Sequence, residues 1–143
     1  MTANENDDLI AGIVDSTHTI AMVGASAKPG RPSNTVMAYL LAHGYVVYPV
    51  NPGQAGGEIL GQKVYAALSE VPVPCDMVNI FRPSDAAGDV AREAARLMDE
   101  KGFQVVWMQL GIENAEAGRE AETAGLVVVQ NRCIKIEHEK ENP

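Results

Sequence analysis

The sequence predicts an α/β fold, a five-stranded and mostly parallel sheet with helices on both faces. Two observations carry this. Three segments share one punctuation, a helical pattern ended by glycine and followed at once by an apolar strand. They are His43-Gly44-Tyr45-Val46-Val47, Lys101-Gly102-Phe103-Gln104-Val105-Val106 and Ala124-Gly125-Leu126-Val127-Val128-Val129. Glycine just past a helix end takes the left-handed conformation at little steric cost. The strands themselves are continuous runs of Val and Ile rather than alternating residues, which is the pattern of strands buried on both faces. Repeated strand–helix units around a parallel sheet account for both features.

Strands are expected near 18–23, 45–50, 76–81, 104–109 and 126–130, with helices near 33–43, 85–101 and 114–124. Ser84 suits the N-cap of the second of these helices, whose buried stripe is Ala87, Val90, Ala91, Ala94, Leu97 and Met98. The third is Ala- and Glu-rich and only weakly amphipathic. An N-terminal helix within residues 1–15, from about residue 5, packs Leu9, Ile10, Ile13 and Val14 on the sheet. Residues 52–75 read as irregular, with Gly53, Gly56, Gly57 and Gly61 early on, and residues 137–143 as a polar tail. A chain of 143 residues, 46 % hydrophobic and 21 % charged, fits one domain (1–143) of ordinary globular composition.

The first strand leads into the most informative stretch. The apolar run Thr19-Ile20-Ala21-Met22-Val23 breaks at Gly24-Ala25-Ser26-Ala27-Lys28-Pro29-Gly30-Arg31-Pro32-Ser33, and helical periodicity resumes at Val36, Met37, Leu40 and Leu41. A strand feeding a glycine-led turn into a helix points free backbone N–H groups at a phosphate. This loop is not a P-loop, because five residues separate Gly24 from Gly30 and Arg31-Pro32 follow. Nor is it the dinucleotide fingerprint, which needs Gly-x-Gly-x-x-Gly and an acid about 20 residues on. The second strand ends in Asn51-Pro52 instead, so NAD loses its usual anchor.

Charge placement points the same way. The net charge is −8 with 19 acidic residues, yet residues 16–57 contain neither Asp nor Glu. Lys28 and Arg31 lie inside that gap, in the glycine loop. An acid-free surface with two cations and a helix N-terminus suits a polyanionic ligand.

Other classes are disfavoured. No apolar run is long enough to span a bilayer, and the polar, acidic start MTANENDD does not resemble a secretory signal, so the cytoplasm is expected. Cys75 and Cys133 have neither paired spacing nor neighbouring histidines, and His18, His43 and His138 are scattered, so no metal site is expected. The acidic balance and single Trp give no support to nucleic-acid binding.

In an open parallel sheet the ligand lies beyond the carboxyl ends of the strands. That rule nominates the loop at 24–33, Asn51-Pro52, Phe81-Arg82-Pro83, Gln109-Leu110-Gly111 and Asn131-Arg132-Cys133. Arg82 either clasps a phosphate or pairs on the surface with Asp85 or Asp89. Gln109 and Gly111 either hydrogen-bond a ligand or form the turn into the next helix. Trp107 belongs to the core rather than to an adenine stack. Cys133, beside Arg132, either exchanges with a ligand thiol or fills a strand end. Cys75 is expected to be inert, Glu137-His138 to lie in the solvated tail, and His43 to favour the end of its helix.

These rim segments resemble the small stand-alone bacterial CoA-binding proteins and, more distantly, the N-terminal CoA-binding domain of the succinyl-CoA synthetase alpha subunit. The likeness spans residues 10–138 and rests on the order of several motifs. They are Ile20-Ala21-Met22-Val23-Gly24-Ala25-Ser26 with Lys28-Pro29-Gly30-Arg31-Pro32-Ser33, and Tyr48-Pro49-Val50-Asn51-Pro52. Glu58-Ile59-Leu60-Gly61, Phe81-Arg82-Pro83, Trp107-Met108-Gln109-Leu110-Gly111 and Asn131-Arg132-Cys133-Ile134-Lys135 follow.

The resemblance implies a three-layer Rossmann-like fold that binds coenzyme A or an acyl-CoA. It places Gly24, Ala25, Ser26 and Ser33 on the pyrophosphate, and Lys28 and Arg31 on the phosphates. Asn51 and Pro52 border the ribose and adenine, and Phe81, Arg82 and Pro83 lie along the nucleotide. With Gln109, Gly111 and Cys133, these are the expected ligand-binding residues. The synthetase's catalytic histidine lies in a segment beyond the matching domain, so the resemblance implies binding without ligation, with no catalytic residue assigned. A homodimer or another protein partner is left open. Two alternatives stand beside this reading: an NAD(P)-linked oxidoreductase domain, and a thiol-regulatory protein that forms a CoA mixed disulfide at Cys133.

Overall fold

The computed structural model describes residues 6–143. Residue 5, the expected start of the N-terminal helix, lies outside the described residues. Five strands form one sheet: β1 (Thr19–Val23), β2 (Val46–Val50), β5 (Met77–Ile80), β6 (Val105–Met108) and β7 (Val127–Val129). The two-residue strands β3 (Glu58–Ile59) and β4 (Gln62–Lys63) make a small separate hairpin in the stretch expected to be irregular. The large sheet has the order β2-β1-β5-β6-β7, and every pairing in it is parallel. The fold is therefore the expected Rossmann-like α/β arrangement.

The helices are α1 (Asp7–Ser16), α2 (Pro32–Ala42), α3 (Ser84–Lys101), α4 (Ala115–Ala124) and α5 (Ile134–Glu141). Successive strand residues face opposite sides, and the core divides accordingly. Ile20, Met22, Met77 and Trp107 pack with Ile13, Met37, Leu40 and Ile134, so α1, α2 and α5 cover one face. Ala21, Val23, Val78 and Val106 pack with Ala87, Ala91, Ala94, Ala117 and Ala121, so α3 and α4 cover the other. Small residues along α3 and α4 let those helices lie close to the sheet and to each other.

Three local expectations are corrected. Leu9 faces solvent, while Ile10, Ile13 and Val14 alone carry the buried stripe of α1. Ser84 is the first residue of α3 rather than its cap, and its hydroxyl accepts the Glu113 N–H at 3.1 Å. Most of the expected polar tail at 137–143 is helix α5, in which Glu137 and His138 are buried. Glu137 is held by Arg132 and Lys140, each at 3.3 Å, and His138 Nδ1 lies 2.6 Å from the Tyr39 hydroxyl. Ile134 anchors the start of this helix in the core, and the contact of His138 with Tyr39 of α2 seats its later turns.

Candidate functional site

The chain runs from β1 outward to β2, then returns past β1 to β5. The strand order thus reverses between β1 and β5, and in such sheets ligands bind at the carboxyl end of that reversal. Gly24 and Phe81 are the residues that leave these two strands. Gly24 adopts φ +88°, and a Cβ there would lie 2.8 Å from the Phe81 carbonyl oxygen. The Gly24 N–H reaches Val50 O at 3.1 Å, and the Phe81 N–H reaches Val23 O at 2.8 Å. Backbone therefore packs on backbone where the loop begins.

The loop is braced from inside. Asn51 Nδ2 donates to Ala25 O at 2.9 Å, while its Oδ1 accepts the Gly53 N–H at 2.9 Å. Asn34 Nδ2 donates to Ser26 O at 2.9 Å, and the Ser26 hydroxyl accepts the Lys28 N–H at 3.1 Å. Asn34 is a contributor that sequence reasoning missed, and its only signal was an amide side chain in the first turn of a helix.

Helix α2 starts beneath this loop with Pro32 at its first position, no side-chain cap and no acid in its first turn. Its N-terminal N–H groups and positive dipole end thus face the rim without an internal anion. Lys28, Arg31 and Arg82 are exposed around it, and none forms an ion pair among the described residues. The alternative surface pairing of Arg82 is not formed, since Asp89 pairs with Arg92 instead.

The far side of the rim is stitched by β6 and β7. Trp107 is fully buried, and its Nε1–H donates to Arg132 O at 2.8 Å, fixing the turn that presents Cys133. The Gly111 N–H reaches Asn131 Oδ1 at 2.6 Å, so Gly111 serves the turn. The Arg132 guanidinium pairs with Asp7 and Glu137, at 3.4 and 3.3 Å. Cys133 is half-buried at the start of α5. Cys75 is fully buried, and burial pushes its thiol up to about 11. Gln109 is 5 % exposed, and its Oε1 is buried with no hydrogen-bond partner among the described residues. Leaving such an acceptor unpaired costs about 1–3 kcal/mol.

Three cavities adjoin along this rim. The first, about 250 Å³, lies between the ends of β1, β2 and β5 and is lined by Asn51, Pro52, Phe81 and Arg82 among others. The second, about 290 Å³, shares Gly24, Ser26 and Phe81 with it and adds Arg31, Ser33 and Gln109. The third, about 350 Å³, shares Pro32, Gln109 and Leu110 with the second and runs between the starts of α2 and α5 to Cys133. Of the expected ligand residues, Gly24, Ala25, Ser26, Arg31, Ser33, Asn51, Pro52, Phe81, Arg82, Gln109 and Cys133 line one or more of these cavities. Lys28, Pro83 and Gly111 stand outside them. Leu110, nominated with its segment, contributes too, and Ile112, Val36 and Ile136 were missed, because an apolar residue at a strand or helix end looks like core.

A larger cavity, about 500 Å³, opens at the opposite end of the sheet and is lined by His18, His43 and His138. The described residues hold no cluster of three or more His, Cys, Asp or Glu able to bind a metal. That end carries the amino ends of the strands, where open α/β sheets do not place their ligands.

The class defined by this fold is the Rossmann-like α/β domain, whose strand order reverses between β1 and β5. The model of the CoA binding domain family matches residues 18–139, and the chain belongs to that family. It is 36 % identical over 129 residues to the uncharacterized protein YneT of Bacillus subtilis, covering 90 % of this chain and 91 % of that one. It is 32 % identical over 122 residues to an ADP-forming acetate–CoA ligase of Archaeoglobus fulgidus. That match takes in 80 % of this chain but only 17 % of the ligase. Among solved structures, a hypothetical protein from Pyrococcus horikoshii OT3 superposes with a TM-score of 0.86 at 41 % identity, over 94 % of this chain and 91 % of that one. No helix among the described residues is long and apolar enough to cross a membrane.

Proposed function

We propose that this protein binds coenzyme A along the carboxyl rim of its sheet, with the glycine-led loop on the pyrophosphate, and catalyses no reaction itself. The observation that carries the reading is the uncapped start of α2 beneath a loop bearing Lys28 and Arg31, at the reversal of strand order. Membership of the CoA binding domain family supports coenzyme A as the ligand. Ser26 and Ser33 add hydroxyls, and Arg82 approaches from the β5 side.

A binding role fits the placement of titratable groups. All three histidines gather at the opposite end of the sheet, so none is at hand for proton transfer at the rim. A carrier, a sensor or a subunit lent to a larger acyl-CoA enzyme would each use such a site. The ligase relatives support the last of these, since they contain a similar domain within a much longer chain. The NAD alternative is weakened because Asn51, with both polar atoms engaged in bracing the loop, stands where a ribose-binding carboxylate would be. The thiol-regulatory alternative rests on Cys133 alone.

Calorimetric titration with CoA, 3′-dephospho-CoA and NAD tests the proposal. Saturable CoA binding, weaker without the 3′-phosphate and absent for NAD, is expected. NAD binding with CoA silent overturns it.

A further inference from the structure

Accepting that reading of the rim, the three adjoining cavities change character from one end to the other. The first two combine backbone, hydroxyls, Asn51, Arg31 and Arg82 with Phe81, and the second also reaches Leu110 and Ile112. The third is lined by Pro32, Val36, Leu110, Cys133 and Ile136, with Thr35 and Lys135 at its edge. Leu110 and Ile136 are large apolar side chains left 61 % and 44 % exposed, and they converge on this one cavity. Single exposed apolar side chains are ordinary, but two that converge on one cavity floored by the buried Val36 form an apolar surface awaiting cover.

Gln109 stands where the second and third cavities meet, 95 % buried by its 5 % exposure and with Oε1 unpartnered. The Gln109 side chain borders both cavities, so an arm that carries amides runs against it at that junction. The pantetheine arm of CoA carries two amides between its phosphates and its sulfur. An arm running from the loop past Gln109 delivers the sulfur into the third cavity, beside Cys133.

We infer that the cavity between the starts of α2 and α5 seats a short apolar acyl group, so that the protein's ligand is an acyl-CoA rather than free CoA. A free thiol would leave Leu110 and Ile136 uncovered, whereas a thioester with an alkyl chain covers them. The volume of about 350 Å³ is on the order of ten water volumes, room for a thioester and a chain of up to about six carbons.

The test compares CoA, acetyl-CoA, butyryl-CoA, hexanoyl-CoA and adenosine 3′,5′-bisphosphate on the full chain. Affinity is read by calorimetry, and Cys133 alkylation by N-ethylmaleimide is followed by mass. Affinity is expected to climb from CoA to hexanoyl-CoA, by up to about fourfold per buried methylene. Saturating hexanoyl-CoA should slow Cys133 alkylation at least tenfold, while the bisphosphate, which has no arm, leaves it unchanged. Ile136→Asp should remove most of the chain-length gradient. CoA and its thioesters binding equally, or the bisphosphate protecting Cys133 as well as hexanoyl-CoA does, overturns the acyl site while leaving CoA binding intact. Failure of every CoA species to bind overturns the functional reading beneath it as well.

Discussion

Gly24 and Phe81 meet at the reversal of the sheet so closely that a Cβ on Gly24 would stand 2.8 Å from the Phe81 carbonyl oxygen. The contact is with backbone, which cannot rotate away as a side chain can. Gly24 also holds φ +88°, where an L side chain costs about 1–2 kcal/mol. Gly24→Ala is therefore expected to cost about 2–4 kcal/mol in all, lowering Tm by about 6–12 °C. Gly30→Ala is the control: its φ is +89°, but no atom lies within 4 Å of the added methyl. It should lose only the backbone share. Thermal unfolding of both variants checks this, and equal losses would mean that the Phe81 contact carries no weight.

The exposed cations predict a different signature. Lys28, Arg31 and Arg82 take part in no ion pair among the described residues, so replacing them leaves no buried charge unpaired. Lys28→Ala, Arg31→Ala and Arg82→Ala should each weaken CoA binding by about three- to tenfold and flatten its dependence on salt. Tm should stay within about 2 °C. Titrations at low and high ionic strength decide it, and unchanged affinity in all three variants would move the phosphates off this loop.

The strand–helix order and the nominated rim were legible because each rests on a short-range rule. Glycine ended the helices before β2, β6 and β7, unbroken Val and Ile marked buried strands, and strand ends share a rim in any open parallel sheet. Helix α5 was not legible. Its Glu137-His138-Glu139-Lys140-Glu141 portion reads as a solvated tail, and what buries Glu137 and His138 is Arg132 on the one and Tyr39 on the other, the latter pair 99 positions apart, behind the fully buried Ile134. The apolar end of the rim was hidden for the opposite reason. Leu110 and Ile136 look like ordinary surface or core residues until the turn of 109–111 and the start of α5 bring them to one cavity.

Trp107 links that turn to the core. Its indole N–H is bonded to the Arg132 carbonyl at 2.8 Å, and Cys133 is the next residue. Trp107→Phe keeps a ring in the core but orphans this acceptor, at a cost of about 1–3 kcal/mol. A fall in Tm of about 3–9 °C is expected, together with faster alkylation of Cys133 as its turn loosens. Cys75 should stay unlabelled in both proteins while they remain folded, since it is fully buried and its thiol is pushed up to about 11. Intact-mass kinetics would show one adduct per chain. An unchanged Cys133 rate in Trp107→Phe would mean that the indole bond does not hold the turn.

His138 gives the pH dependence. Burial holds its imidazole below the usual histidine range, and His43, whose ring centroid is 4.9 Å away, adds to the effect; Glu139 opposes it. Tyr39 and Tyr45 pack against the same ring, and Asn142 approaches its other nitrogen. The unfolded chain therefore takes up a proton on His138 at a higher pH than the native chain does. The stability gained from the neutral imidazole is full above about pH 6.5, the unfolded value, and is lost as pH falls toward the lower native value. Histidine is the side chain whose ordinary titration range falls in the window from about pH 5.5 to 7. Tm should fall from pH 7 to 5.5, and His138→Gln should reduce the fall while lowering Tm at pH 7 through loss of the Tyr39 contact. CoA affinity should be indifferent to this substitution, because the residue lies at the other end of the sheet. An equal Tm drop in both proteins would assign the pH response to other groups, and a loss of CoA binding would mean that α5 transmits to the rim.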